Sequence, residues 1–246
     1  MDGMIFAAGL GTRLRPLTDA LPKALIEVGG IPMLERVARQ MIDAGVTRLI
    51  VNAHHHAGMI EEFVAAREGF GIDTVISSEA EELLDTGGGL WHAARFFRRE
   101  APFLLHNGDI YTDMDLRAMY AAHPGDALAT LAVMRRDSAR YLLFDSHDAL
   151  CGYGNGATGF EERAREPVGE PERMGFCGVH VISPRIFDLV TERGAFSIIP
   201  LYMRLVREGE RIGRYDIDGA AWIDIGRPEQ LALARADAER RANVVR

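Results

Sequence analysis

The sequence predicts an α/β protein: a three-layer α/β/α sandwich with a mixed, mostly parallel Rossmann-like sheet. Two observations lead to this fold class. Short apolar runs at 4–8, 47–53, 72–77 and 102–109 alternate with segments of helical periodicity. Because these runs are apolar at nearly every position, they are typical of parallel strands that are covered by helices on both faces.

The segment 32–44 shows the clearest helical periodicity in the first half of the chain. Its apolar residues follow the i, i+3, i+4, i+7, i+8 spacing of one helix face, at Leu34, Val37, Ala38, Met41 and Ile42. Pro32 lies near the start of the segment and Gly45 just past its end, as expected for a helix. Further helices are predicted over 57–67, 88–99, 184–193 and 197–208, and from Pro228 onward.

The second half is less regular, with strands predicted at 127–134, 141–145, 175–183, 211–217 and 221–226. Between 151 and 174 the chain is polar and rich in glycine and charge, which predicts a substrate-covering loop or hairpin. No linker or internal repeat interrupts the 246 residues, so we expect a single domain over 1–246.

Composition limits the class of protein. A net charge of −8 argues against a general nucleic-acid binder, which would carry a basic surface. The sequence contains no apolar run of 18 residues, and its first residues lack the pattern of a signal peptide. Cys151 and Cys177 are read as free buried thiols. We therefore expect a cytoplasmic protein without membrane or nucleic-acid partners.

A glycine-rich turn, "AAGLGTRLRPLT", follows the first apolar run. Gly9 and Gly11 allow the backbone to approach a ligand closely and to direct its N–H groups toward an anion. The turn is not a dinucleotide fingerprint, because Leu14 occupies the third glycine position, and no Walker lysine follows at the required spacing. A glycine pair of this kind also occurs in ordinary strand-to-loop turns.

Lys23 is the only lysine among 28 Lys and Arg residues. Arginine has a broad planar guanidinium, whereas lysine presents a compact ammonium on a thin stem. A site that places a point charge among crowded phosphates therefore favours lysine. The alternative is that one lysine persists by chance in an arginine-biased composition.

Four motifs together resemble those of the sugar-1-phosphate nucleotidylyltransferases: "AAGLGTRLRPLTDALPKALIEVGGIPML", "LLDTGGGL" (83–90), "HNGDIYTD" (106–113) and "WIDIGRPEQL" (222–231). The motifs span almost the whole chain. "TGGG" and "NGDIYTD" are most similar to the N-acetylmuramate-1-phosphate uridylyltransferase branch, which consists of one short catalytic domain and acts in the recycling of cell-wall sugars.

The resemblance implies an activity, a cofactor and a division of the chain. These enzymes join an NTP to a sugar 1-phosphate and release pyrophosphate, here with Mg²⁺ as cofactor and UTP as the favoured nucleotide. It implies a nucleotide-binding half over 1–115 and a sugar-binding half over 116–246. The expected partners are the two substrates, with the chain acting as a monomer or small homo-oligomer.

The resemblance also implies roles for individual residues. Arg13 and Lys23 are the expected catalytic residues, and Asp109 and Asp224 the expected metal ligands. The expected nucleotide-binding residues are Ala8, Gly9, Gly11, Thr12, Arg13, Lys23, Asp85, Thr86 and Gly87. The expected sugar-binding residues are Asn107, Gly178 and Glu162, with Glu161 and Glu166 as alternatives to Glu162.

The chemistry of the reaction agrees with these residue types. The second pKa of a phosphate is about 6, so the attacking sugar phosphate is already ionised near neutral pH and needs no general base. The obstacle is to bring two polyanions together, which calls for positioning and positive charge rather than a nucleophilic side chain.

Several alternatives remain open from the sequence. Asp109 is also explained as a turn or capping aspartate, and Asp224 as the partner of a buried arginine. A mannose-1-phosphate guanylyltransferase shares all four motifs. A non-catalytic nucleotide-sugar sensor or regulatory subunit is the alternative of another class, although such a protein is expected to have lost a metal carboxylate or Lys23.

Overall fold

The computed structural model describes residues 1–79 and 82–244. Its strands are β1 (Asp2–Phe6), β2 (Glu27–Val28), β3 (Ile31–Pro32), β4 (Arg48–Ala53), β5 (Asp73–Ser78), β6 (Phe103–Asn107), β7 (Ile110–Thr112), β8 (Ala129–Met134), β9 (Arg140–Phe144), β10 (Leu150–Asn155), β11 (Phe160–Arg163), β12 (Glu172–Ile182), β13 (Ile212–Asp216) and β14 (Trp222–Asp224). Its α-helices are α1 (Leu17–Ala20), α2 (Met33–Asp43), α3 (Ala57–Ala65), α4 (Asp85–His92), α5 (Leu116–Ala121), α6 (Ile186–Leu189), α7 (Ile198–Arg207) and α8 (Pro228–Val244).

The chain forms two compact units. Unit 1 consists of residues 1–83, 105–116 and 220–246, and unit 2 of residues 84–104 and 117–219. The units are therefore interleaved along the chain and do not coincide with the sequential halves 1–115 and 116–246. That one half binds the nucleotide and the other the sugar stays a prediction.

The sheet of unit 1 is built from the apolar runs that predicted it. β1 pairs with β4 and β4 with β5, all in parallel, and residues 105–107 of β6 belong to the same unit beside β1. On α2 the predicted apolar face is buried at Leu34, Val37, Ala38 and Met41, whereas Ile42 at the edge of that face is half-buried. The parallel order places the ends of β1, β4, β5 and β6 along one edge, where ligands bind in such sheets.

A second, two-stranded sheet in unit 1 joins distant parts of the chain. β7 pairs antiparallel with β14, and α8 follows β14 directly. The hydroxyl of Tyr111 on β7 donates a hydrogen bond to Asp237 of α8, with an O–O distance of 2.9 Å, and both residues are buried. The last segment of the chain is thereby fixed to the residues that follow β6.

Unit 2 has the strand order β11-β10-β9-β12-β8-β13. Its pairs are antiparallel except for β8 and β13, which run parallel. β10 and β11 form a hairpin, which confirms the hairpin alternative for 151–174. The mixed sheet and its flanking helices confirm the predicted fold class, with the parallel character concentrated in unit 1.

Two predicted helices are wrong in extent. The helix predicted at 88–99 is α4, which begins at Asp85 and is followed by a 3-10 turn over Ala93–Phe96. Its glycines, poor helix formers in isolation, are held inside the helix by packing. The helix predicted at 184–193 is the single turn α6, and neither α5 nor β7 was predicted from the sequence.

Two further expectations concern the cysteines and the membrane. Cys151 and Cys177 are both buried thiols that form no disulfide, as predicted, and burial raises the pKa of the Cys177 thiol to about 12. Across residues 1–79 and 82–244, none of the helices combines the length and the apolar character needed to span a bilayer.

Candidate active site

The pairing of β7 with β14 brings the two predicted metal ligands together. Asp109 directly precedes β7, and Asp224 at the end of β14 lies opposite Ile110 in the register. The backbone N–H of Ile225 donates to the carbonyl oxygen of Asp109 at 3.0 Å. Two carboxylates that are remote in sequence are thus fixed side by side at the edge where β6 ends.

Lys23 lies between these carboxylates. It begins a 3-10 turn over Lys23–Leu25 that is closed by a hydrogen bond from Leu25 N–H to Pro22 O, at 2.8 Å. Its Nζ donates to Asp109 Oδ2 and lies 3.8 Å from Asp224 Oδ1. The lysine side chain is 11% exposed, against 29% for Asp109 and 41% for Asp224. The ammonium is therefore covered, while both carboxylates keep accessible oxygen atoms.

Gly11 shapes the turn that carries Arg13 toward Lys23. Its φ of 63° is left-handed, and a methyl group there would lie 2.7 Å from Thr18 Cγ2 and 3.3 Å from Lys23 Cβ. The Thr18 hydroxyl fixes the turn by donating to Gly11 O at 2.8 Å. Only glycine fits this position without strain. Thr12 and Arg13 follow in an exposed 3-10 turn.

Gly226, which was not among the predicted site residues, lies where three charged side chains converge. A methyl group on Gly226 would lie 2.8 Å from both Arg13 Nη2 and Asp224 Oδ1, and 2.9 Å from Lys23 Nζ. Its backbone N–H donates to Asp224 Oδ1 at 2.8 Å. The glycine thus leaves open a space that is lined by two cations and a carboxylate. The feature of the sequence that could have indicated Gly226 is its position two residues after Asp224.

The buried imidazole of His106 adds no positive charge beneath this cluster. Burial lowers its pKa to about 4, although the hydrogen bond to Asn107 O and the charge of Asp109 act in the opposite direction.

The histidines at 54–56 form no metal centre. Within the described ranges, no group of three or more His, Cys, Asp or Glu side chains is arranged to hold an ion.

The remaining predicted residues of unit 1 lie at the same strand edge. Ala8 follows β1 and is buried, and Asn107 is the last residue of β6. Gly9 is exposed, and a methyl group there would meet no atom within 4 Å. Chain packing therefore does not require glycine at position 9, in contrast to position 11.

The predicted nucleotide-binding residues of unit 2 make contacts within that unit. The N–H groups of Gly87 and Gly88 donate to Phe196 O at 2.8 and 3.0 Å, and a methyl group on Gly87 would overlap the Phe196 ring. Thr86 Oγ1 accepts the N–H of Ile198 at the start of α7, at 3.0 Å. Asp85 is exposed, with a φ of 58°. The "TGGG" motif thus allows α4 to pack closely against the segment before α7.

Two predicted sugar-binding residues also lie in unit 2. Gly178 has a φ of 76° and lies where the pairing of β12 with β8 shifts register between Phe176 and His180. Such bulges expose backbone groups that ladder hydrogen bonds would otherwise use. The Glu162 carboxylate is paired with Arg207 of α7, and Glu161 with Tyr141 and Arg173. Each of the two glutamates therefore already has a cationic partner.

Comparison with known proteins identifies the family of this chain. The family described as nucleotidyl transferase matches residues 2–241. The chain belongs to this family. N-acetylmuramate alpha-1-phosphate uridylyltransferase of Caulobacter vibrioides is 30% identical over 238 residues, covering 95% of each chain. The predicted resemblance is confirmed, and the chain is a sugar-1-phosphate nucleotidylyltransferase.

Other members of the nucleotidyl transferase family match over most of the chain as well. Mannose-1-phosphate guanyltransferase of Gibberella zeae is 29% identical over 236 residues, which cover 94% of this chain and 62% of that protein. The crystal structure of HddC from Yersinia pseudotuberculosis superposes with a TM-score of 0.75 at 22% identity, covering 96% of this chain and 98% of that one. The latter likeness supports the fold.

Proposed function

We propose that this nucleotidyl transferase is a Mg²⁺-dependent cytoplasmic enzyme that transfers the uridylyl group of UTP to N-acetylmuramate 1-phosphate. The convergence of Lys23, Asp109 and Asp224 beside Gly226 carries the proposal, because it unites one covered cation with two accessible carboxylates. The choice of substrates is supported by the Caulobacter vibrioides uridylyltransferase, to which this chain is 30% identical over 238 residues.

The residues at this site fit a magnesium ion. Mg²⁺ prefers hard oxygen ligands and is usually held by one or two carboxylates together with substrate phosphates and water. Asp109 and Asp224 supply two such carboxylates, and a methyl group on Gly226 would lie only 2.8 Å from Asp224 Oδ1, so glycine there keeps that carboxylate uncrowded. We infer that these two residues would hold the ion. When bound, it would neutralise charge on the phosphates of the substrates.

The chain's own residues supply the rest of the positive charge. The Lys23 ammonium is held in place by Asp109 and faces the space beside Gly226, which the Arg13 guanidinium also borders. The backbone of 9–13 lies at the same edge and offers N–H donors to an anion. These groups are suited to holding the phosphates of an NTP against an incoming sugar phosphate.

The reaction then needs no acid–base residue. An ionised oxygen of the sugar 1-phosphate attacks the α-phosphorus of the NTP. As that bond forms, the bond from the α-phosphorus to the bridging oxygen breaks, and pyrophosphate leaves with the bonding electrons. Lys23 and Arg13 stabilise the charge that develops on the α-phosphate and the leaving group.

A mannose-1-phosphate guanylyltransferase is the second candidate. It is favoured by the 29% identity to the Gibberella zeae guanyltransferase over 236 residues, close to the identity with the uridylyltransferase. The chain spans 62% of the length of that protein.

A substrate grid separates the two candidates. Pyrophosphate release is measured with Mg²⁺ for four NTPs against the 1-phosphates of N-acetylmuramate, N-acetylglucosamine, glucose and mannose. We expect one dominant combination, UTP with N-acetylmuramate 1-phosphate. A dominant signal with GTP and mannose 1-phosphate would establish the second candidate instead, and unchanged rates after chelation of Mg²⁺ would contradict the proposed metal.

A further inference from the structure

A buried asparagine supports the start of the glycine-rich turn. Asn52, the fifth residue of β4, is 3% exposed. Its side-chain oxygen Oδ1 accepts a hydrogen bond from the backbone N–H of Ala7 at 2.7 Å. Ala7 directly follows β1 and directly precedes Ala8 and Gly9 of the predicted nucleotide-binding backbone.

The same asparagine is held by a buried glutamate at the end of β5. Asn52 Nδ2 donates to Glu79 Oε1 at 2.6 Å, and Glu79 is 2% exposed. The backbone of Glu79 is fixed in turn, since its N–H donates to Ala53 O at 2.8 Å and its carbonyl lies 2.6 Å from His54 Nδ1. The ends of β1, β4 and β5 are therefore linked by one chain of hydrogen bonds.

The position of Asn52 explains why a side chain is needed there. Regular pairing of β1 with β4 ends at Phe6, opposite Asn52. At Ala7 the chain leaves the sheet, and a buried N–H without a partner would be costly. The amide oxygen of Asn52 takes the place of a ladder carbonyl and fixes the direction in which the turn departs.

We propose that Asn52 and Glu79 are positioning residues for nucleotide binding, which act through the backbone of Ala7 and Ala8. Glu79 orients the Asn52 amide, because a carboxylate accepts only from the NH₂ end and so directs the oxygen toward Ala7 N–H. This inference rests on the proposed function only in that it takes the turn 7–13 to be the NTP site.

The donor and acceptor roles give a specific double-variant test. Asn52→Asp keeps an acceptor for Ala7 N–H but sets two carboxylates against each other. Glu79→Gln alone still offers an amide oxygen to Asn52. In the double variant N52D/E79Q, the glutamine NH₂ donates to the aspartate, so the second hydrogen bond is restored with its direction reversed and the net charge unchanged.

The kinetic expectations follow from this pattern. For Asn52→Asp, we expect the KM for the NTP to rise about tenfold or more, as for loss of a buried hydrogen bond to a charged group. The KM for the sugar 1-phosphate should stay near the wild-type value. In Glu79→Gln the KM for the NTP should stay within about threefold of the wild-type value. In N52D/E79Q it should return from the raised value of Asn52→Asp to within about threefold of wild type.

A control separates positioning from a loss of folding. Thr130→Val removes the hydroxyl that hydrogen-bonds to His123 Nδ1 at 2.8 Å in unit 2, so it should lower the melting temperature without changing the KM for the NTP. A purely structural role for Asn52 would give the same result in Asn52→Asp, and that would overturn the inference. If Asn52→Asp does not fold, recovery of folding and of the wild-type KM in N52D/E79Q supports the inference. A double variant no better than the single one overturns it.

Of two further outcomes, the first would contradict the inference and the second would contradict the proposed function alone. A changed base preference in Glu79→Gln alone would mean that Glu79 contacts the nucleotide itself. If wild type is inactive across the whole substrate grid, the proposed function fails. The inference is then measured as NTP affinity by calorimetry, with the same expected pattern among the variants.

Discussion

Two clusters in this molecule each pair a cation with carboxylate side chains, and they differ in how far those carboxylates are exposed to solvent. In unit 1, Lys23 lies between Asp109 and Asp224, whose side chains are 29% and 41% exposed. In unit 2, Asp145 is paired with Arg165, and its side chain is 1% exposed. Both its oxygens are occupied: Oδ1 accepts N–H groups of His147 and Ala149, and Oδ2 accepts Val168 N–H and Arg165 Nη2.

The difference separates a carboxylate that can still bind a ligand from one that is fully used within the fold. The donors around Asp145 leave no room for another ligand, so that cluster can only hold the chain together. The unit 1 carboxylates remain partly exposed to solvent. The variants below test this contrast, from the largest expected effect to the smallest.

Removal of either unit 1 carboxylate should abolish most activity while the fold persists. For Asp109→Asn and Asp224→Asn we expect turnover to fall about 10³-fold, as for loss of transition-state charge stabilisation. The change in unfolding free energy should be about 1 kcal/mol or less, as for a partly exposed ion pair. Pyrophosphate release and urea unfolding measure the two effects. Asp126→Asn, in an exposed pair with Arg211, is the matched control.

The identity of the cation in this cluster should matter as well. In Lys23→Arg the planar guanidinium must occupy the place of a compact ammonium, next to the space that Arg13 already borders. We expect turnover to fall about 10²-fold with an unchanged circular dichroism spectrum. Near-normal turnover would mean that the only lysine of the chain is there by chance.

Filling the space beside Gly226 should have an intermediate effect. In Gly226→Ala the ends of Lys23 and Arg13 can move to accommodate the methyl group, so the melting temperature should change little. Their displacement should reduce turnover about tenfold, through lost positioning of the charges. Gly58→Ala, where a methyl group meets no atom within 4 Å, is the control. Equal kinetics for the two variants would remove Gly226 from the site.

The unit 2 cluster should respond in the opposite way, through stability alone. Burial raises the pKa of Asp145, but the hydrogen bonds from Arg165, Val168, His147 and Ala149 outweigh it and lower that pKa from 3.8 to about 2. Its ionised form therefore stabilises the fold at neutral pH, and Asp145→Asn should lower the unfolding free energy by about 2 kcal/mol. Turnover per folded molecule should be unchanged.

The pH dependence provides a second measurement of this variant. Because the folded-state pKa of Asp145 is depressed, its stabilisation is present above about pH 4 and is lost as the pH falls toward 2. Urea unfolding at several pH values should show the gap between wild type and Asp145→Asn narrowing over that range. A gap independent of pH would indicate that packing, rather than charge, accounts for the loss.

The sequence predicted the elements whose apolar pattern is long and regular. Both ends of β1, β4, β5 and α2 were predicted to within two residues, because the burial of these elements follows directly from that pattern. β7 has three residues, too few to show a period, and was not predicted, whereas β14 lies within the strand predicted at 221–226. The pairing of the two strands depends on tertiary packing, and only the family resemblance implied that Asp224 and Asp109 act together.

The glycine motifs show a further limit of sequence reasoning. Gly11 and Gly87 look alike as members of glycine-rich motifs. Gly11 is required by its left-handed backbone, whereas Gly87 is required by the ring of Phe196, more than 100 positions later in the chain. Asn52 and Glu79 gave no signal, because a side chain that replaces a ladder carbonyl is visible only once the end of the strand is known.

The interleaving of the two units has a consequence for synthesis on the ribosome. All residues of unit 2 have been translated by position 219, whereas unit 1 needs the segment that begins at Ala220. The unit that contains the N-terminus is thus the last to be completed. Asp224 is translated 115 positions after Asp109, and the chain between them has to fold back before the two carboxylates come together. A nascent chain stalled before β14 would contain the glycine-rich turn and Asp109 without Asp224.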